Sequence, residues 1–238
     1  MERSIEGYDF QKGEILLFNK ELDWTSFDLV RKLRNFLCRS TGVKKMKVGH
    51  AGTLDPKATG LMIVCTGKET KNIDLLQAKE KEYIATIKLG ATTPSFDLET
   101  SEDEIFATDH LTLELIQETL NSFLGEIDQV PPLFSAVKID GKRAYLHARK
   151  GDDIVLQSKK ITISELEVLN FSQEAVVLRI VCSKGTYIRA LARDLGIALN
   201  CGAYLVGLCR TRIGEMRLEN AWELPDFIEK FKVPKLIE

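Results

Sequence analysis

Apolar and polar positions along the chain fall into a few distinct rhythms. Glu14-Ile15-Leu16-Leu17-Phe18 is a short apolar run that predicts a strand. Phe27, Val30, Leu33 and Leu37 then recur at helical spacing, behind Thr25-Ser26-Phe27-Asp28, a Thr-x-x-Asp variant of the capping box. Together they predict a helix packed on a core through those four side chains. Leu61-Met62-Ile63-Val64-Cys65 is a second continuous apolar run. From Lys81 to Gly90 the pattern alternates, placing Tyr83, Ala85, Ile87 and Leu89 on one face of a strand. Asp97, Glu99, Glu102, Asp103 and Glu104 read as a solvated acidic connector. Leu113, Ile116, Leu120 and Phe123 mark a second helix, closed by Gly125. Strands near 161–170 and 175–183, a helix from about Tyr187 to Leu199 and a strand near 204–212 follow, before a short tail at 215–238 holding Leu224-Pro225-Asp226-Phe227-Ile228.

Strands and helices alternate irregularly, with no repeat and no Ser/Gly-rich linker, which predicts a single α+β domain over 1–238: a mostly antiparallel, mixed central sheet flanked by helices. Residues 131–152 stand out as an insertion. Pro131-Pro132 opens it, and Lys138, Lys142, Arg143, Arg149 and Lys150 are interleaved with Tyr145 and His147.

Composition narrows the function classes. At 44% hydrophobic and 29% charged, the chain has material for a core. A net charge of −2 gives no global cationic field, so any nucleic-acid surface must be local. The five cysteines form no Cys-x-x-Cys pair and read as buried thiols of a reducing compartment. The three histidines lack metal-ligand spacing, and no window reaches the length of a membrane span. The expectation is a cytoplasmic protein without metal. Gly60 and Gly67-Lys68 do not form a phosphate loop, since six residues separate the glycines and Glu69 follows the lysine.

The densest chemistry lies in Gly49-His50-Ala51-Gly52-Thr53-Leu54-Asp55-Pro56-Lys57-Ala58-Thr59-Gly60. Glycine permits close backbone approach, and proline fixes its own φ and restricts Asp55 before it. This predicts a rigid loop that aims one carboxylate outward from the edge of a strand. The string resembles the signature of the bacterial TruB-type transfer RNA pseudouridine synthases, whose aspartate is catalytic. The resemblance covers most of residues 13–214. Ser183-Lys184-Gly185-Thr186-Tyr187-Ile188-Arg189 is similar to the family run whose arginine pairs with that aspartate, which implies that Arg189 holds Asp55, 134 positions away. Lys81-Glu82-Tyr83 matches the place of an active-site aromatic. Val130 to Lys138 and Gly141 to Tyr145 resemble elements of a segment that closes on RNA.

The resemblance implies an isomerase of the pseudouridine synthase fold that converts uridine to pseudouridine at position 55, in the T arm of transfer RNA, without cofactor. Asp55, Arg189 and Tyr83 are its catalytic residues. His50, Lys20, Tyr187, Leu208, Lys138, Lys142 and Arg143 are its substrate contacts, and Lys44, Lys45 and Lys47 engage the RNA backbone. His50 stacks near the target base or serves the loop structurally, and Leu208 is a pocket residue, a core residue or both. Attack at ring C6 and attack at ribose C1′ are equally compatible with these residues. Transfer RNA is the implied partner, with no membrane and no obligate protein. Two departures mark the chain. The family reads Lys-Pro-x-Gly-x-Thr-Ser where this sequence has Lys20-Glu21-Leu22-Asp23-Trp24-Thr25-Ser26, and an apolar residue is usual where Lys57 stands. Only 24 residues follow Gly214, too few for the C-terminal PUA domain of many relatives. Rival classes are an RNA-folding chaperone without chemistry and a hydrolase pairing Asp55 with Asp97.

Overall fold

A computed structural model describes residues 7–134, 138–139, 142–143 and 156–232. In chain order the elements are β1 (Ile15–Lys20), α1 (Ser26–Thr41), β2 (Val48–His50), β3 (Ala58–Thr66), α2 (Ile73–Ala78), β4 (Lys81–Leu89), β5 (Ala91–Thr92), β6 (Glu104–Ile105), α3 (Leu113–Asn121), β7 (Gly125–Gln129), β8 (Lys138–Ile139), β9 (Lys142–Arg143), β10 (Lys159–Phe171), β11 (Ala175–Cys182), α4 (Ile188–Ala198), β12 (Ala203–Ile213), β13 (Met216–Arg217) and α5 (Leu224–Lys230). The class is α+β, with a mostly antiparallel sheet flanked by helices, as the alternating patterns predict. Two compact units divide the chain, the first comprising 1–81 with 209–238, the second 82–208.

In the first unit β1 pairs antiparallel with β3, Ile15 opposite Cys65 through Lys20 opposite Gly60. The short β2 also pairs with β3, so 48–66 is a hairpin whose connection is the glycine-rich loop. Helix α1 begins as its sequence demands: Thr25 Oγ accepts the Asp28 N–H, and the Asp28 carboxylate accepts the Thr25 N–H in return. Leu29, Val30, Leu33 and Leu37 form its buried stripe. Phe27, expected in that stripe, is 59% exposed. It sits on the opposite side of the first turn, under the Arg31 guanidinium at 6.0 Å. The segment read as a tail contributes to this core. Trp222 bonds Leu17 and Asn19 along β1, and Phe227 of α5 is fully buried against Phe10, Phe18 and Phe36.

In the second unit β4 alternates throughout, with Tyr83, Ala85, Ile87 and Leu89 all buried. Strand β10 pairs antiparallel with β11 on one side and β7 on the other. Helix α3 ends at a Ser122 cap. Gly125 instead opens β7, because Ser122 N–H already closes onto Thr119 O. Strands β8 and β9 form a small antiparallel pair. Ser135, Tyr145, His147, Arg149 and Lys150, named in the insertion and its motifs, lie outside the described residues. The acidic stretch is only partly a solvated connector. Asp97 is 3% exposed, because Arg189 neutralises it and the Glu99 N–H bonds its carboxylate.

Candidate active site

Asp55 lies in the β2–β3 connection, half-buried, neither sunk in the core nor fully in water. Buried or half-buried backbone carbonyls need partners, and here five in succession have one. Gly52 O and Thr53 O accept from the Arg210 guanidinium at 3.2 and 3.5 Å. Leu54 O accepts the Ser26 hydroxyl at 3.0 Å, and the Ser26 oxygen in turn accepts the Leu54 N–H at 2.8 Å. Asp55 O accepts Ala58 N–H, and Pro56 O accepts Asp23 N–H at 2.9 Å. The loop is therefore anchored residue by residue from β12, α1 and the segment after β1.

Lys20, expected to touch RNA, is fully buried. Its ammonium donates to Glu21 O (2.9 Å), Trp24 O (2.6 Å) and Pro56 O (3.5 Å), so its described role is to tie two loops together. Burial pushes its pKa down to about 8 and Arg210 adds to that push, while the carboxylates of Asp55 and Asp23 pull the other way. The two departures from the family pattern meet each other. Asp23, standing where a glycine is usual, has φ 63°, in the left-handed region, and its carboxylate bonds Lys57 Nζ at 2.7 Å. His50, the last residue of β2, is held below its ordinary pKa by burial, against the opposing pull of a backbone hydrogen bond with Gly52, and its Nδ1 is buried with no hydrogen-bond partner among the described residues. Elsewhere in this unit Lys45, Lys47, Lys68 and Lys71 line a recess of about 280 Å³ with Gln11, Val43, Met46, Gly67 and Thr70.

In the second unit Arg189, in the first turn of α4, is 5% exposed. Its guanidinium faces Asp97 at 3.4 Å and donates to Ser95 O and Phe134 O at 3.4 and 3.0 Å. Tyr187 caps the same helix, and its backbone is fixed by two hydrogen bonds to the buried Gln129 amide: its N–H donates to Oε1 at 2.8 Å and its carbonyl accepts from Nε2 at 3.1 Å. Tyr83 is 9% exposed on β4, and Leu208 is half-buried on β12. Lys138 belongs to β8, and Lys142 and Arg143 to β9.

Within the first unit the structure brings Lys20 and Asp55 to one loop cluster, with His50 at its start. Within the second it joins Arg189 to the Tyr187 turn. Sequence reasoning missed the roles of Ser26 and Arg210, and the pairing of Asp97 with Arg189. The signal for Arg210 was a cation closing the apolar run Tyr204–Cys209. None of the five cysteines is in a disulfide. Among the described residues, no cluster of three His, Cys, Asp or Glu side chains is arranged for a metal ion, and no helix is long and apolar enough to cross a membrane.

Residues 39–188 match the model of the TruB family pseudouridylate synthase, N-terminal domain. The chain is 58% identical over 221 residues to the tRNA pseudouridine synthase B of Phocaeicola vulgatus, covering 93% of this chain and 94% of that protein. It is 60% identical over 225 residues to the protein of the same name from Parabacteroides distasonis, covering 93% and 96%. Among solved structures it is similar to a chain of a Cbf5-Nop10-Gar1 complex, with a TM-score of 0.69, 28% identity and coverage of 95% of this chain and 56% of that one. A chain of an H/ACA RNP bound to a substrate RNA containing 2′-deoxyuridine gives 0.67, 25%, 92% and 53%. This chain thus spans little more than half of those solved chains, but nearly the full length of these two bacterial relatives. The chain belongs to the TruB family of pseudouridylate synthases.

Proposed function

We propose that the chain converts uridine to pseudouridine in transfer RNA, at position 55 of the T arm, with Asp55 as the nucleophile acting on a nucleotide turned out of its stack. The reaction breaks the bond from ribose C1′ to N1, makes one from C1′ to C5, and exchanges the C5 hydrogen for a proton at N1. No group enters or leaves overall. A carboxylate serves because it can attack either C6 or C1′ and depart again. The observation that carries the reading is the half-buried Asp55 on a backbone whose carbonyls from Gly52 to Pro56 are all anchored, since a nucleophile gains most when its geometry is set before substrate arrives.

The remaining roles follow the motif match. Arg189 orients the Asp55 carboxylate and favours its ionised form. Asp97 steadies that guanidinium rather than acting as an acid. Tyr83 stacks on the turned-out uracil, a contact worth about 1–3 kcal/mol, and assists removal of the C5 proton. His50, Tyr187 and Leu208 line the base site. Lys138, Lys142 and Arg143, with the lysines of the 280 Å³ recess, meet phosphates, so binding weakens steeply as salt rises.

Unmodified transfer RNA incubated with the protein, followed by chemical mapping of pseudouridine, tests the assignment. The expected product is pseudouridine at position 55 of the T arm, absent with Asp55→Asn and strongly reduced with Arg189→Ala. Product at full rate from Asp55→Asn, or product only outside the T arm, refutes it.

A further inference from the structure

Arg210 sits on β12 with 1% of its surface exposed. Its guanidinium donates to Leu61 O at 2.8 Å, Gly52 O at 3.2 Å and Thr53 O at 3.5 Å. Every one of these acceptors is a neutral carbonyl, and Arg210 makes no ion pair among the described residues. Leu61 belongs to the regular part of β3, whereas Gly52 and Thr53 belong to the loop that leads to Asp55. One planar side chain therefore bridges a fixed strand and the start of the catalytic turn. Close approach makes this possible. Gly60 has φ 103°, and a Cβ there would come within 2.6 Å of Arg210 N, so the absence of a side chain lets the Arg210 backbone lie against β3.

Fold stability does not account for this residue. A buried cation without a carboxylate partner is expensive to desolvate, and a well-packed apolar side chain is usually no worse for the fold. What an apolar residue cannot do is hold two successive loop carbonyls in a plane. The fork of N–H donors in arginine can, with a defined direction. Lys20 acts from β1 on the other side of Asp55, reaching Pro56 O. The carboxylate is thus carried by a turn held before it by one buried cation and after it by another.

We propose that Arg210 is a positioning residue for the isomerisation, setting the direction of the Asp55 carboxylate by clamping the Gly52–Thr53 backbone to β3. The inference rests on the reading of Asp55 as nucleophile. It differs from the role given to Arg189, because Arg210 is buried and acts on the backbone of the loop rather than on the carboxylate.

The test uses the full chain with enzyme in excess over unmodified T-arm RNA, so that the saturated single-turnover rate is independent of the fraction of folded enzyme. Filter-binding affinity and thermal melting are measured beside it. A misplacement of about 1 Å costs on the order of 100-fold in rate. Arg210→Gln is therefore expected to lose about 100-fold in rate with RNA affinity unchanged within about threefold. Arg210→Lys, which keeps the charge but not the fork, is expected to regain only part of the loss. A rate within about threefold of wild type in Arg210→Gln overturns the proposal, and so does a loss of affinity that matches the loss of rate. Where Arg210→Gln fails to fold, Arg210→Lys decides: a slowed rate at unchanged melting temperature supports the clamp, and a wild-type rate removes it. Asp55→Asn is run in parallel. Activity in that variant refutes the nucleophile itself, whatever Arg210 does.

Discussion

Replacing Ser26 by alanine isolates the lock between α1 and the Asp55 loop. The Ser26 hydroxyl donates to Leu54 O at 3.0 Å and accepts Leu54 N–H at 2.8 Å. Ser26 and Leu54 are only 3% and 4% exposed. Removing the hydroxyl leaves a buried donor and a buried acceptor unsatisfied, each at a cost of about 1–3 kcal/mol. A water entering the vacated space recovers part of this, so the net loss is about 3 kcal/mol. For a chain of this length that corresponds to a fall in melting temperature of about 6–12 °C. The neighbouring Thr25→Ala is the control. It removes the N-cap of the same helix, an exposed interaction worth about 1 kcal/mol, and leaves Leu54 untouched. Urea denaturation of both variants, read by circular dichroism, separates helix capping from loop anchoring. The single-turnover rate of Ser26→Ala should fall as well, because Leu54 adjoins Asp55, while that of Thr25→Ala should not. Equal stability losses in the two variants, or an unchanged rate in Ser26→Ala, would show that the bonds to Leu54 do not fix the loop.

Lys20 makes stability depend on pH in an unusual direction. Its pKa is about 8 in the fold against an ordinary 10.5, so between these values the unfolded chain binds more protons and stability rises with pH. The penalty present below pH 8 is about 3 kcal/mol. The stability difference between wild type and Lys20→Met should grow in favour of wild type from about pH 7.5 to 9.5 in denaturant titrations, and a flat or falling difference contradicts the burial argument. At Asp23, φ 63° favours glycine. The exposed pair with Lys57 is worth less than about 1 kcal/mol. Asp23→Gly is expected to match wild-type stability within about 0.5 kcal/mol, whereas Asp23→Ala adds left-handed strain and should lose about 1–2 kcal/mol. Alanine proving as stable as glycine in the same titration would refute the strain assignment.

Period and punctuation made much of the architecture readable. The alternation of Lys81–Leu89 and the Thr25 cap are local properties, and both elements appear where those signals put them. The loop around Asp55 was legible for a different reason, its motif. What stayed hidden were tertiary pairings. Asp97 looked like one more acid in a polar run, and nothing near it in sequence announces Arg189, 92 positions on. Phe27 had the right spacing for the core but the wrong face, because one stripe of α1 was already filled by Leu29, Leu33 and Leu37. Lys20 matched a motif whose chemistry suggests a surface, while its ammonium is consumed by three carbonyls. The unexpected pairing of Asp23 with Lys57 could be read only once both loops were folded.

The first unit joins residues before 82 to residues after 208, and its aromatic centre is completed by Phe227 and Phe231. During synthesis the ring faces of Phe10, Phe18 and Phe36 emerge long before the side chains that cover them. At about 5–20 residues per second the interval is about 10–40 s. The second unit is continuous in sequence and emerges in that interval. The core beneath the Asp55 loop is therefore completed last, and a nascent chain that lacks Phe227 and Phe231 leaves the faces of Phe10, Phe18 and Phe36 uncovered.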